Sequence, residues 1–285
     1  MVRPAASLER HLNELLSTFD FERQRQADPI RFSYGWSSGP DRDVVAVLSA
    51  LLSYGRAELI GRAITDALSR MGDHPAEAAM ADDERAARER FNGFVYRLTR
   101  GEDLARLWLG LGAVLRRHGT IGAALPRWDE GGADLRSVMT GLRGAVYEAT
   151  PGFAYRRAFE HFFPAPARGS ACKRLNMLLR WMVRGPDQID FGDWSQLGPE
   201  RLTMPLDTHI HRIARYLALT DRSQANWATA VEITDTLRAF DPRDPLKYDF
   251  ALAHLGISGD CPTYRKPSIC IGCPLNPVCQ LPDAS

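Results

Sequence analysis

The amino-acid sequence predicts an all-α protein that ends in a cysteine-rich loop. Apolar residues recur at helical spacing through almost all of the 285 residues, and no alternating strand pattern of useful length is present. Four of the five cysteines lie together near the C-terminus. With 45% hydrophobic residues, the chain is able to bury a normal core in one large domain or two.

The helices are predicted in order from this spacing. A leucine stripe (Leu8, Leu12, Leu15 and Leu16) marks the first helix, and VVAVLSALLSY forms a strongly apolar second one. Asp41 or Asp43 is the expected N-cap of that second helix. The segment GEDLARLWLGLGAVLRRHG predicts a helix that Gly119 ends, with basic residues in its last turn. Further helices are expected over 58–71, 133–150, 154–163, 171–183, 208–219, 227–240 and 246–256, and the acid-rich residues 81–90 predict a short polar helix or a linker.

The N-terminal sequence bears on the compartment. MVRPAASLERHLNELL is amphipathic and charged, without the apolar region of a signal peptide. No apolar run approaches the ~20 residues of a membrane span. We therefore expect a cytoplasmic protein with reduced thiols and no membrane contact.

Charge is unevenly distributed along the chain. The net charge is +1, so the whole molecule is not a polycation. From 156 to 184, however, the chain carries seven basic residues and one acidic residue, Glu160, a local net charge of +6. The rest of the chain therefore has a net charge of −5. A local basic patch on a near-neutral protein suits a phosphate backbone. A solvated helix face is the alternative interpretation.

The clustered cysteines form the pattern C-x8-C-x2-C-x5-C, made of Cys261, Cys270, Cys273 and Cys279. Four thiolates in one short loop are the ligand set of an iron–sulfur cluster, and they also suit a structural zinc ion. Two disulfides are a third possibility, which a reducing compartment disfavours. Zinc sites usually contain two short ligand pairs, whereas only one C-x2-C pair is present here. Spacing alone leaves zinc as the alternative to iron–sulfur.

Two residues outside this loop suit chemistry. Asp207 follows Pro205 in PLDTHIHRIARYL and stands where the N-cap of the next helix belongs, so a helix cap is its structural interpretation. Lys173 is one of only three lysines, beside 33 arginines. A lysine that loses its proton is able to attack as an amine, whereas an arginine is not. A phosphate contact is the alternative role for Lys173.

These residues carry a family resemblance. The segment LDTHIHRIARYLALT resembles the V-D-T-H-I-x-R-V motif of the helix-hairpin-helix-GPD superfamily of DNA glycosylases, in its endonuclease III-like branch with a C-terminal [4Fe-4S] loop. The superfamily loop is C-x6-C-x2-C-x5-C, so the first gap here is two residues longer and the other two match. VLSALLSYGRAELIGRAI is similar to the family segment LLSAQATD. The resemblance covers residues 40–279, most specifically 169–279.

The resemblance implies an architecture and a set of site residues. Two helical lobes would flank a DNA cleft: residues 1–40 with 205–285 would bear the cluster, and residues 41–204 the catalytic lysine. Lys173 and Asp207 would be catalytic, and the four loop cysteines would hold a [4Fe-4S] cluster. The implied DNA contacts are Arg56, Arg168, Gly169, Ser170, Arg174, Arg212, Arg265 and Lys266.

The chain departs from the superfamily in the hairpin before the aspartate. No hairpin of the type L-P-G-V-G-R-K is present, and the best lysine lies in R-G-S-A-C-K-R-L-N, 34 residues before Asp207. This spacing is similar to that of the archaeal 8-oxoguanine DNA glycosylase branch. The chain as a whole looks like a bacterial branch of the superfamily that carries G-S-A-C-K-R-L-N.

The resemblance therefore implies a monomeric, nucleoid-associated DNA glycosylase of base-excision repair. It would flip a damaged base such as 8-oxoguanine out of double-stranded DNA and remove it by lysine Schiff-base chemistry, with AP-lyase activity. A non-catalytic iron–sulfur protein that binds damaged or bent duplex is the main alternative. A small iron–sulfur electron carrier would leave Asp207, Lys173 and the basic patch without a role.

Overall fold

The computed structural model describes residues 5–283, apart from the side chains of Ala5 and Arg168. It contains 59% helix and 2% strand, which confirms the all-α fold class. The α-helices of the described residues are α1 Ala5–Thr18, α2 Phe21–Arg25, α3 Pro40–Leu52, α4 Ala57–Met71, α5 Pro75–Ala81, α6 Glu84–Arg90, α7 Gly101–His118, α8 Ile121–Ala124, α9 Arg136–Glu148, α10 Arg157–Phe162, α11 Lys173–Val183, α12 Thr208–Tyr216, α13 Trp227–Arg238, α14 Asp249–Ile257 and α15 Pro267–Cys270.

Short elements connect these helices. Segments of 3₁₀ helix cover Pro29–Gly35, Leu125–Arg127, Pro166–Arg168, Pro199–Arg201 and Asn276–Val278. One small antiparallel hairpin pairs β1, Val95–Tyr96, with β2, Thr99–Arg100. The sequence pattern did not predict this hairpin, because two residues a strand are too few to show alternation. Within residues 5–283, no helix is both long and apolar enough to cross a membrane.

Two clusters of buried apolar side chains organise the helices. The larger one draws on α3 to α11 and on Phe250 of α14. The second joins Leu12 and Leu15 of α1 to α12, α13 and α14, and to Leu275 and Val278 beside the cysteines. The N-terminal helix therefore packs with the C-terminal part of the chain. The division into two lobes around a DNA cleft remains a prediction.

Helix α7 lies within the larger cluster and packs closely against α5 and α9. A Cβ atom on Gly110 would lie 2.7 Å from Val146 of α9, and one on Gly112 would lie 2.0 Å from the carbonyl oxygen of Ala79 in α5. Only glycine leaves the backbone room for such approaches. These two glycines therefore set the distance of α7 from both neighbouring helices.

The acidic residues at the start of α3 serve other helices. The prediction that Asp41 or Asp43 caps α3 is wrong, because Gly39 is the N-cap and offers no side chain. Asp41 instead accepts a hydrogen bond of 2.7 Å from the amide of Ala76 in α5. The buried Asp43 accepts hydrogen bonds from the amide of Ile121 in α8, at 2.6 Å, and from the indole of Trp194, at 2.7 Å. Both carboxylates lie in the first turn of α3 and satisfy donors that are distant in sequence.

The carboxylate of Asp43 gives a test of this packing. Asp43→Asn places an amide donor against the buried N–H groups, so one of them loses its acceptor. We expect the free energy of unfolding to fall by about 1–3 kcal/mol, measured by urea denaturation. Asp73→Asn is the matched control, since Asp73 is exposed and should leave the midpoint unchanged. An unchanged midpoint in Asp43→Asn would contradict the capping role.

Candidate lysine–aspartate site and cysteine loop

The starts of two helices bring Lys173 and Asp207 together. Lys173 is the first residue of α11, and Asp207 is the N-cap of α12. Their Nζ and Oδ2 atoms lie 4.0 Å apart, with side chains 30% and 25% exposed. The other oxygen of Asp207, Oδ1, accepts hydrogen bonds of 2.9 Å from the amides of His209 and Ile210. The predicted cap is thus confirmed, and it leaves one carboxylate oxygen directed at an amine.

The turn before Lys173 is held in an unusual backbone conformation. Cys172 has φ 44° and ψ 41°, the left-handed region, which costs a non-glycine residue ~1–3 kcal/mol. The buried Asn176 fixes this turn, because its side-chain amide donates to the carbonyl of Ala171 at 2.9 Å and its backbone amide donates to the carbonyl of Cys172 at 3.0 Å. Cys172 itself is buried, and burial raises the pKa of its thiol. The fixed backbone of this turn therefore sets the direction in which the Lys173 side chain leaves the start of α11.

A second loop pins the glycine turn that precedes Lys173. Ser170 forms a β-bridge with Asn226, and the amide of Trp227 donates to the carbonyl of Gly169 at 3.1 Å. Gly169 has φ 74°, a conformation that favours glycine. The segment before α13 thus braces the turn that leads into α11. Sequence reasoning missed this partner, because the two segments are more than fifty residues apart.

A second carboxylate lies near the pair and was also missed. Asp249, the first residue of α14, is buried and forms an ion pair with Arg180 at 3.1 Å. Burial is the largest influence on the pKa of Asp249 and raises it to about 6. The positive charges of Arg180 and Lys173 act to lower this pKa, and the negative charges of Asp190 and Asp207 act to raise it. The only sequence signal was an acidic residue at a helix start, which is common on protein surfaces.

An exposed hairpin stands beside the same helix start. The ring of Tyr54 lies 4.8 Å from the Arg174 guanidinium, and the Tyr54 hydroxyl is 2.7 Å from Oγ1 of Thr99 in β2. Val95 and Leu98 on this hairpin are 62% and 57% exposed. The side chains of Arg56 and Arg97 are exposed nearby and make no hydrogen bond or ion pair within residues 5–283. This surface, Tyr54–Arg56 with Val95–Leu98, is called the hairpin surface below.

Several predicted DNA contacts have intramolecular roles in the structure. Arg174 is buried and donates to the carbonyls of Leu51 and His161; burial lowers its pKa to about 10. Arg212 donates to the carbonyl of Cys261 at 2.7 Å. Arg174 is therefore placed inside the fold, whereas Arg212 is half-buried.

The remaining predicted contacts lie at or near the surface. Arg265 donates to Asn276 and to the carbonyl of Cys279, and so cross-links the cysteine loop, although its side chain stays 29% exposed. Lys266 lies 5.0 Å from the ring of Tyr264. Arg56, Gly169 and Ser170 are exposed, and the side chain of Arg168 lies outside the described residues.

The four loop cysteines are free thiols that form no disulfide within residues 5–283. Cys270 is buried, and the other three are half-buried. Burial raises the pKa of the Cys261 thiol to about 11, with smaller contributions from the other three thiols, against the nearby Arg212 guanidinium. No three His, Cys, Asp or Glu side chains of residues 5–283 stand in a ready metal-binding arrangement. As a donor set, four neighbouring thiols fit an iron–sulfur cluster, with zinc as the alternative.

The fold and the site define a helical protein with a lysine–aspartate pair at two helix starts and a separate cysteine loop. The chain belongs to the family described as "Protein of unknown function (DUF2400)", whose model matches residues 28–258. The matched segment includes Lys173, Asp207 and Asp249 and ends before Cys261. Comparisons with curated proteins and with solved structures gave no match.

Metal content tests the cysteine loop. We expect protein purified without oxygen to be brown and to contain about four iron atoms per chain, as a [4Fe-4S] cluster requires. Cys270→Ser should lose the colour and the metal, because it removes one of four ligands. Cys172→Ser is the matched control and should keep both, since Cys172 lies at the start of α11. About one zinc per chain and no colour would instead establish the zinc alternative.

Proposed function

We propose that this protein is a DNA glycosylase with AP-lyase activity, which removes a damaged base, such as the oxidised purine 8-oxoguanine, from duplex DNA. The observation that carries the proposal is the 4.0 Å approach of the Lys173 amine to a carboxylate that caps a helix. A potential nucleophile beside a fixed acidic group is the arrangement that covalent catalysis needs.

The proposed chemistry assigns a role to each member of the pair. The Lys173 nitrogen attacks C1′ of the flipped nucleotide, and the bond from C1′ to the base breaks as the base departs. Positive charge develops on the sugar, and the ionised Asp207 stabilises it. Two backbone N–H groups donate to this carboxylate, which lies at the positive end of the α12 dipole. The adduct nitrogen loses a proton, and its electron pair then forms a C=N bond to C1′ while the C1′–O4′ bond of the sugar ring breaks and O4′ takes up a proton. From this Schiff base, loss of a C2′ proton and departure of the 3′-phosphate by β-elimination nick the strand.

The surroundings of the pair supply features that suit a duplex. Arg56 and Arg97 offer cations to phosphates, and the apolar Val95 and Leu98 beside them suit contact with base edges or an opened base step. When bound, a [4Fe-4S] cluster would hold the cysteine loop in one conformation, and with it Lys266 on the loop surface. The chain's own contribution there is Arg265, which already ties that loop together.

Borohydride trapping tests the proposed activity. Wild-type protein should form a covalent adduct with duplex oligonucleotides that carry 8-oxoguanine, another oxidised base or an abasic site. Lys173→Ala should abolish the adduct, and Asp207→Asn should slow its formation by about 10²-fold or more. Lys247→Ala is the matched control, because Lys247 pairs with Asp241 at 3.0 Å and should trap normally.

The trapping experiment separates the two candidate functions. An adduct in Lys173→Ala equal to wild type would disprove the nucleophile assignment. Tight duplex binding without excision or trapping on any lesion would favour the non-catalytic DNA-binding alternative.

The hairpin surface gives an independent prediction for binding. Replacing Arg56 and Arg97 with Ala should weaken binding to an abasic-site duplex, and should make the salt dependence shallower by ~0.9 in slope for each phosphate that the variant no longer neutralises. Fluorescence anisotropy over a salt series measures both quantities. Arg62→Ala is the control, since Arg62 is exposed but paired with Glu58. An equal weakening in the control would indicate a general charge effect rather than a local interaction.

A further inference from the structure

The side-chain amine of Lys173 has a closer partner than Asp207. Its Nζ donates to the thioether sulfur, Sδ, of Met177 at 3.4 Å, whereas Oδ2 of Asp207 is 4.0 Å away. A separation of 4.0 Å is an ion-pair distance and is too long for a hydrogen bond. Among the residues that the structure describes, 5–283, Met177 is therefore the one hydrogen-bond acceptor of this amine.

Helix α11 places Met177 for this contact. Met177 lies four residues after Lys173 in α11, so the two side chains share one face of the helix. The Met177 side chain is 5% exposed and belongs to the larger apolar cluster, which holds it in place. Lys173, by contrast, reaches the surface on a flexible four-carbon stem. The buried thioether is thus a fixed point to which a mobile amine is attached.

The chemistry of a thioether suits an amine that has to react. Thioether sulfur is a weak hydrogen-bond acceptor and carries no charge. A carboxylate in the same place would hold a lysine as the ammonium ion of a salt bridge, which is not nucleophilic. Met177 therefore restrains the nitrogen of Lys173 without adding a charge beside it, and it leaves Oδ2 of Asp207 without a hydrogen bond to the amine.

We propose that Met177 is a positioning residue, whose sulfur holds the Lys173 amine in the conformation from which it attacks C1′. The inference rests on the proposed glycosylase function. Met177 neither gives nor takes a proton and forms no covalent bond, and the nitrogen leaves the sulfur as it bonds to the sugar carbon. An unrestrained lysine stem samples many rotamers, so a contact that selects the productive one raises the rate of attack.

Two substitutions of Met177 separate positioning from packing. Met177→Leu keeps the apolar volume and removes the acceptor, whereas Met177→Gln keeps an uncharged acceptor and puts a polar amide into a buried position. If the sulfur positions the amine, single-turnover borohydride trapping on an abasic-site duplex should be about 10-fold slower in Met177→Leu. Met177→Gln should trap within about threefold of wild type, and both variants should bind the duplex with wild-type affinity.

Met182→Leu is the matched control for the leucine substitution. Met182 is fully buried on the same helix, more than two turns after Lys173 and on the opposite side of α11. This variant should trap at the wild-type rate. A normal rate in Met177→Leu together with a loss in Met177→Gln would show that Met177 only packs, and would overturn the assignment. Equal losses in Met177→Leu and Met182→Leu would overturn it as well.

The mobility of the lysine amine tests the restraint without DNA and needs only the leucine variants. Because the chain has three lysines, ¹⁵N labelling of lysine gives three side-chain Nζ signals. The NMR order parameter of the Lys173 Nζ should fall in Met177→Leu and keep its wild-type value in Met182→Leu, while those of Lys247 and Lys266 stay unchanged in both. Absence of trapping by wild type would defeat the proposed function, whereas an unchanged order parameter in Met177→Leu would defeat the role of Met177.

Discussion

The buried guanidinium of Arg180 is the interaction on which the arrangement of the site depends. It lies on α11 two turns after Lys173 and pairs with Asp190 at 3.4 Å and with Asp249 at 3.1 Å. Because Asp249 begins α14, and α14 packs against α12, these pairs fix α11 relative to the helix that Asp207 caps. Removing one partner of such a buried pair typically costs ~3–5 kcal/mol. The approach of amine and carboxylate at the surface is thus fixed by charges in the interior.

The backbone conformation before α11 also fixes the position of Lys173. The left-handed Cys172 is tolerated because Asn176 holds the carbonyl before it, and because its own carbonyl accepts the amide of Leu175 at 2.9 Å. Strain of this kind persists only where the surroundings overdetermine the conformation. The bridge from Ser170 to Asn226 adds a restraint from the segment before α13. Lys173 therefore starts its helix from a turn that is fixed on both sides.

The sequence predicted the features that depend on local pattern. Helical periodicity located the long helices, and Pro205 with Asp207 marked a cap that the structure confirms. The sequence did not predict the features that depend on contacts between residues far apart in the chain. Nothing local shows that Asp43 serves α8, because its partners lie 78 residues and more away. Asp249 likewise looks like an ordinary acidic start of a helix until Arg180 is placed against it. The β-hairpin is simply too short to leave a periodic signal.

Helix α12 connects the lysine–aspartate pair to the cysteine loop. Its N-cap is Asp207, Arg212 in its second turn donates to the carbonyl of Cys261 at 2.7 Å, and its last residue, Tyr216, accepts the amide of Gln280 at 2.7 Å. A nine-residue helix is too short to bend appreciably between these contacts. A shift of the cysteine loop would therefore move the helix start that holds the Asp207 carboxylate. The lysine–aspartate pair and the cysteine loop are separate in the sequence, but α12 couples their positions in the fold.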